Sequence, residues 1–283
     1  MTAATARRSR LRIDPRAVLL YLLLFIGAFA MLFPVLWMGM STFKAEAEIS
    51  QYPPSFLPKT FTMEPLIAAW TKIKFGRYFM NSLLVTGVAT PLSVLTSAYL
   101  GFVWNKYDFR FKEPMFYVII ATMMIPGPML LIPHYQVVLW ANLLNTYASI
   151  IVPAVVTPYG IFLMRQFMHS VPNELLDAGR IDGASEPRLF VFVALPLVPS
   201  SLAALGIIQF LANWDNLLWP LVVLTNTAKY TLAVGLATFA AEYERNFAVQ
   251  NAGAFIAVFP VVIAFLLFQR QIIRGIALTG LKG

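Results

Sequence analysis

The chain has 283 residues, of which 59% are hydrophobic and only 12% charged, with a mean hydropathy of +0.72. Soluble domains carry about 25% charged residues, so the composition excludes an ordinary soluble fold and identifies an integral membrane protein, which the apolar runs below make all-α. The absence of cysteine excludes disulfides, thiol catalysis and cysteine-based metal sites. His134 and His169 stand far apart and read as interfacial residues, so no metal site and no catalytic residue are expected.

Residues 1–16 form a basic segment with Arg7, Arg8, Arg10, Arg12 and Arg16. Residues 17–40 follow as a first span, since a bilayer core takes about 20 apolar residues. The run exceeds the about 7–15 apolar residues of a cleavable signal peptide and no small-residue cleavage site follows it, so it is expected to stay as an anchor. Residues 41–79 are polar and proline-marked, with Trp70, Tyr78 and Phe79 suited to a membrane interface. A second span is predicted over 80–103, and a basic turn over 105–113. The third span, 114–133, is interrupted by Pro126, Gly127 and Pro128, which should kink or unwind it. An interfacial link over 134–146 leads to the fourth span, 147–167. The fifth begins near Leu189, is bent by Pro196 and Pro199, and ends at Asn213, Trp214 and Asp215, before an apolar stub at 217–224. Residues 225–250 read as a polar outer stretch. The sixth span covers 252–268, so the spanning domain runs over 17–270 and a tail over 271–283.

Six spans put both termini on one side. That side carries the N-terminal arginines, Lys106, Arg110, Lys112, Arg165, Arg180, Arg188, Arg270, Arg274 and Lys282. The longer opposite loops hold only Lys44, Lys59, Lys72, Lys74, Arg77, Lys229 and Arg245. Positive charge concentrates on cytoplasmic loops, so both termini and the 168–188 loop are assigned to the cytoplasm. The net charge of +8 is thus a topology signal, and no nucleic-acid partner is expected.

The longest charged interruption of the second half is the 168–188 loop. Pro172 suits a first helical turn, and Leu175, Leu176, Gly179 and Gly183 follow at helical spacing as an apolar, small-residue face. Asn173, Glu174, Asp177 and Arg180 fall largely on the other side. Gly183 can take the left-handed conformation that ends a helix. Ser185 is placed to cap a second helix with Glu186 and Pro187 in its opening turn. The product is a two-helix bracket rooted in membrane spans. Its Leu176, Gly179 and Gly183 face is expected to press on another protein, whose backbone the glycines would let approach.

Asp177, Ala178, Gly179, Arg180, Ile181, Asp182, Gly183 and Ala184 in order resemble the E-A-A-x-x-D-G-A coupling loop of ATP-binding-cassette (ABC) importer permeases. Pro172, Glu174 and Leu175 before it, and Pro196 and Pro199 after it, come close to that family's flanks. Asp177 stands where the family usually has Glu, and Gly179 where it usually has Ala. Asn213, Trp214 and Asp215 resemble, in altered local order, an element that carbohydrate-importer permeases carry after this loop. The closing Gly280, Lys282 and Gly283 resemble the family's G-L-x-x-G-A-x-K-G ending. The resemblance runs from Phe33 to Gly283 and points to the smaller permease subunit of carbohydrate importers such as the maltose and glycerol-3-phosphate systems. It implies a bacterial inner-membrane location and a second permease subunit forming a heterodimer. It also implies two ATP-hydrolysing subunits, to which the tail reaches, and an extracytoplasmic solute-binding protein.

Two further groups have open readings. Asp215 either borders the solute path, as an ionisable residue beside spans, or caps the stub that follows. It lies about 25 residues beyond the loop, roughly 37 Å along a helix. Met124, with Met123 and Met129 beside the proline break, either lines the path or fills packing gaps. No GxxxxGK[ST] phosphate loop occurs, so ATP and Mg²⁺ belong to partner chains and no cofactor is expected on this one. A secondary transporter is the alternative, but such proteins place ionisable groups near the midplane, and no span has one at its centre. An intramembrane enzyme would need a nucleophile, metal or carboxylate pair at depth, and neither cysteine nor a HExxH helix is present.

Overall fold

The computed structural model describes residues 15–71, 74–242 and 246–280, with side chains described through Gln269 except at position 242. Every regular element among them is helical. A helix satisfies its own backbone polar groups, which lipid cannot do.

In chain order, α1 (Pro15–Ser41) leads to two short helices, α2 (Glu46–Ile49) and α3 (Glu64–Thr71). The long α4 (Phe75–Lys106) follows, then α5 (Lys112–Thr122), a 3-10 turn (Gly127–Leu130) and α6 (Leu131–Trp140). Next come α7 (Ala148–Ala154), α8 (Pro158–Met168) and the loop helix α9 (Asn173–Ile181). After α10 (Glu186–Leu189), a π-turn (Phe190–Ala194) and α11 (Leu195–Leu197) lead into α12 (Pro199–Trp214). The chain closes with α13 (Leu218–Val223), a 3-10 turn (Thr227–Lys229), α14 (Leu232–Glu242) and α15 (Phe247–Gly280).

Four stretches are long and apolar enough to cross a bilayer alone: Pro15–Ser41, Phe75–Lys106, Ala148–Met168 and Phe247–Gln269. Two more pass only as bent pairs, Lys112–Thr122 with Gly127–Trp140 at 100° and Glu186–Leu197 with Pro199–Trp214 at 89°. Both bends fall where prolines remove backbone donors: the first beside Pro126 and Pro128, the second at Val198, between Pro196 and Pro199. Two expectations are corrected. The supposed link at 134–146 continues as α6 to Trp140. The supposed polar stretch at 225–250 contains the apolar α14, whose Leu232, Val234 and Phe239 are buried.

The span α4 is the axis of the packing, about 48 Å long at 1.5 Å per residue. Small residues let α8 lie directly against it. A Cβ on Gly101 would come within 2.6 Å of Met164 Cβ and 2.7 Å of the Arg165 backbone nitrogen, and one on Gly160 would fall 2.2 Å from Ser97 Oγ. Close backbone approach over small residues is how helices associate where lipid removes the hydrophobic drive. By contrast, none of the spanning window of α1 is buried; its last turns meet the rest of the molecule, with Phe33 and Trp37 against Phe56 and Gly39 on Phe255. Large apolar side chains such as Leu24, Phe25 and Phe265 cover the outer flanks of α1 and α15, as a lipid-facing surface requires.

The two ends of α4 carry different structures. At its N-terminal end, Asn81 Nδ2 donates to the Ala228 and Tyr230 carbonyls at 3.0 and 2.8 Å, while its Oδ1 accepts from Tyr147 Oη at 2.8 Å. The segment before α14 is thereby pinned to the span. Residues 41–64 fold over the same end of the molecule. Glu48 Oε1 accepts from Ser55 Oγ and from the Lys59 amide, both at 2.8 Å, and the Lys59 bond holds that carboxyl below its usual range. Glu46 Oε2 accepts from the Ala248 amide at 2.7 Å, a side-chain cap on α15 supplied from more than 200 residues away.

Candidate functional site

At the C-terminal end of α4 lies the bracket of α9 and α10. Pro172 does not open the helix; it is the residue before it, with extended backbone (ψ 136°), and Asn173 is the first helical residue. The helix ends in a Schellman motif. The Ala184 amide reaches back to the Gly179 carbonyl at 2.9 Å, the Gly183 amide to the Arg180 carbonyl at 3.0 Å, and Gly183 takes φ +79°. That pairing needs a left-handed residue, which glycine supplies without steric cost. Ser185 occupies the N-cap of α10 by its backbone alone, because its hydroxyl makes no capping bond.

The bracket is sealed to its own spans. Leu176 is 1% exposed and belongs to a core with Phe102, Met164, Met168, Leu189 and Leu205. Burying a leucine contributes about 1.5–3 kcal/mol. A Cβ on Gly179 would meet Leu189 Cδ2 at 2.5 Å. Leu176 and Gly179 thus turn inward, which corrects the expectation that they meet a partner, while Gly183, the third residue of that face, is exposed and has open space around it. The helix instead presents Glu174, Ala178 and Ile181, with Leu175, Asp177 and Asp182 beside them. Ile181 is 87% exposed.

Polar contacts set the angle between bracket and span. Lys106 Nζ donates to the Val171 carbonyl at 2.6 Å and to Asn173 Oδ1 at 2.9 Å. Arg180 joins the two helices, with Nη1 on Asp177 Oδ1 at 2.8 Å and Nε on Glu186 Oε1 at 3.0 Å. The Tyr107 hydroxyl donates to Glu186 Oε2. Burial, and after it the bond to Glu186, push the Tyr107 phenol up to about 12. Exposed ion pairs contribute about 0–1 kcal/mol, so this network orients the bracket more than it stabilises it.

Near the other end of the molecule, Trp214 is 3% exposed. It stacks on Phe210 at 5.8 Å, meets Phe79 edge-on at 5.7 Å, and donates from Nε1 to the Ala257 carbonyl at 3.0 Å. It is a core residue tying α4, α12 and α15 together. Asn213 Nδ2 donates to Thr90 Oγ1 at 3.2 Å. Asp215 is exposed, and the cap on the following helix comes instead from Asn216, whose Oδ1 accepts from the Trp219 amide at 3.4 Å.

Residues 93–275, from α4 through the bracket to α15, match the family of the binding-protein-dependent transport system inner membrane component. The chain belongs to this family. Its relatives include the arabinooligosaccharides transport system permease protein of Halalkalibacterium halodurans, 37% identical over 90% of this chain and 93% of that protein. The lactose transport system permease protein of Rhizobium radiobacter is 30% identical over 90% of this chain and 93% of its own length. The fold matches a chain of a bacterial ABC transporter that imports the acidic polysaccharide alginate, with TM-score 0.79 and 21% identity over 95% of this chain and 99% of the other. A second match is to the bacterial alginate ABC transporter in complex with an alginate pentasaccharide-bound periplasmic protein. Its TM-score is 0.59, at 14% identity over 91% of this chain and 93% of that one.

In this inner-membrane component, Met124 is 84% exposed in the turn between α5 and the 3-10 helix. Its neighbour Met123, not Met124, lines a cavity of about 770 Å³ together with His134, Thr157 and Tyr159. Gly280 ends α15, while Lys282 and Gly283 lie outside the described residues, as do residues 1–14. Sequence reasoning missed Gln209. Its amide, 6% exposed, donates to Thr157 Oγ1 at 2.8 Å, and that oxygen also caps α8 by accepting from the Gly160 amide at 3.3 Å. A lone glutamine inside Gly206-Ile207-Ile208-Gln209-Phe210 was the available signal.

Proposed function

We propose that this chain forms half of the translocation pathway of an ABC importer for a sugar or sugar-like solute and carries no catalytic activity of its own. Six spans with cytoplasmic termini, a heterodimeric second permease, two ATP-hydrolysing subunits holding ATP and Mg²⁺, and an extracytoplasmic binding protein complete the reading. The sugar class is supported by relatives whose names specify arabinooligosaccharides and lactose. The binding protein is supported by the alginate importer solved with its periplasmic protein.

The observation that carries the proposal is the two-sided bracket. Ile181 and Ala178 face away from the chain, while Leu176 on the opposite side is locked into a core shared with α4, α8 and α12. Close-packed interiors transmit displacement rather than absorb it. A push on the Glu174, Ala178 and Ile181 face by an ATPase therefore reaches Phe102, Met164 and Leu205, and through them three spans at once. The 89° bend at Val198 is where the α10–α12 segment can change angle without breaking further backbone hydrogen bonds.

The test is co-purification of the ATPase subunits with an Ile181→Glu variant. The exposed position should keep stability within about 0.5 kcal/mol, while loss of an apolar anchor costs association about tenfold or more. Wild-type association would refute the coupling role of this face. In the cysteine-free background, an impermeant thiol reagent should label a cysteine at Thr227 from outside and one at Ser185 only after permeabilisation. The reverse pattern would overturn the orientation.

A further inference from the structure

Two spans break at the same depth. The helices α5 and α8 each have 11 residues and lie antiparallel, with Glu113 paired to Arg165 and the Phe116 and Phe162 rings stacked at 6.5 Å. Eleven residues rise about 16 Å, half of a hydrocarbon core of about 30 Å. The far ends of both helices, at Thr122 and Thr157, therefore stand near the midplane. There α5 gives way to the 100° bend, and the preceding span is interrupted between Ala154, which ends α7, and Thr157, which caps α8. Gly127 from one break and Val156, Thr157 and Tyr159 from the other line the same cavity of about 770 Å³. The backbone amides of these four make no hydrogen bond among the described residues. Irregular backbone at membrane depth persists only where it is buried in protein or lines a wet cavity, because acyl chains offer no acceptor. Val156 is 52% exposed, so this break is not buried, and water or a solute is left as the acceptor.

The wall is mostly apolar with a few polar groups, and its volume lies within the about 300–1,000 Å³ of small-molecule sites. Thr157 is the most closely specified of those groups. A threonine hydroxyl has two acceptor positions and one proton. Gln209 Nε2 at 2.8 Å and the Gly160 amide at 3.3 Å take the acceptor positions. The proton is left over, and it has no acceptor among the described residues. The wall contains no Asp, Glu, Lys or Arg, so an ionic solute would find no counter-charge at a depth where charge is costly. We propose that this cavity is a contact site for a neutral, polyhydroxylated solute on this subunit. The Thr157 hydroxyl donates to the solute, and the free amides of both breaks donate to its oxygens. The proposal rests on the importer reading and deepens it, by placing solute contact on this chain and restricting the solute to uncharged sugars.

The test uses the assembled transporter in permeabilised membranes. Ile125→Cys, on the α5 side of the cavity, reports the access of a charged, water-soluble thiol reagent, read on this chain alone. It should react, whereas Phe25→Cys, 69% exposed at a comparable depth of α1, should not. Lactose and arabinotriose serve as neutral probes and digalacturonate as the acidic one. At least one neutral probe should slow the labelling of Ile125→Cys, and digalacturonate should leave it unchanged. Adding Thr157→Val should raise the sugar concentration for half-protection about fivefold, as loss of one neutral hydrogen bond does. Thr157→Ser, which keeps the hydroxyl, should leave it unchanged. An unreactive Ile125→Cys would overturn the proposal, as would labelling that neither neutral probe slows. Protection by digalacturonate, or unchanged half-protection in Thr157→Val, would overturn it as well. Uptake of the same probes by cells reports separately on the importer reading. Uptake of a neutral sugar without protection at Ile125→Cys would remove the site and leave that reading standing.

Discussion

Gly179 is packed against Leu189 of its own chain, so closely that a Cβ at position 179 would stand 2.5 Å from Leu189 Cδ2. Leu189 is fully buried and has little room to swing aside. Gly179→Ala should therefore lower the thermal stability of the detergent-solubilised protein, by about 1–3 kcal/mol as an overpacked core site. Leu189→Val in the same chain should recover part of that loss, since it vacates the space the new methyl needs. Additive losses in the double variant would mean that the two residues are not in contact.

Gly183 poses the opposite problem. Its φ of +79° strains any residue with a Cβ, yet a Cβ there would meet nothing within 4 Å. Gly183→Ala should cost about 1–2 kcal/mol through backbone conformation alone. Gly183→Asn should cost less, because asparagine tolerates this region better. Thermal melts of the two variants decide it, and equal losses would point to steric crowding instead.

The contact between α4 and α8 is unforgiving because it is made by backbone. A methyl on Gly101 would meet the Arg165 backbone nitrogen at 2.7 Å, and a backbone cannot rotate out of the way. Gly101→Ala should cost about 1–3 kcal/mol or more. Gly87→Ala on the same helix meets nothing within 4 Å and should be neutral or raise stability by up to about 1 kcal/mol. Comparable melting temperatures for the two variants would refute this packing.

Tyr107 gives the bracket an alkaline limit. Its pKa is raised in the folded protein from 10.0 to about 12, so between those values the folded state holds a proton that the unfolded chain releases. Stability from this group is complete below about pH 10 and falls as pH rises toward 12. Tyr107→Phe should be less stable at neutral pH, for want of the bond to Glu186, but should show a shallower loss above pH 10. Parallel alkaline unfolding curves for the variant and wild type would remove Tyr107 from the linkage.

The membrane class, the stretches able to span and the ordered loop residues were legible from sequence because they are one-dimensional properties. Apolar run length, the charge asymmetry of loops, and glycine and proline at helix ends all act within a few residues. Gly183 ending α9, and the break at Pro126 to Pro128, are local backbone chemistry of this kind. The polar reading of residues 225–250 failed because the charges at Glu242, Glu244 and Arg245 outweighed a short apolar run whose burial depends on distant α4 and α15.

Which side of α9 faces outward was decided only by the tertiary structure. Helical spacing placed Leu176 and Gly179 together but carried no information about what they meet, and an apolar face fits a partner or the chain's own core equally well. The core won because Phe102, Met164, Leu189 and Leu205 converge beneath the bracket from positions up to about 100 residues apart. Trp214 repeats the lesson: its sequence neighbours suggested a path, whereas Phe79, Phe210 and Ala257 make it core. Gln209 and Thr157 lie 52 residues apart, and only folding brings the buried amide to the hydroxyl that accepts its hydrogen bond. Sequence sets which residues can be buried, and convergence of distant elements sets which ones are.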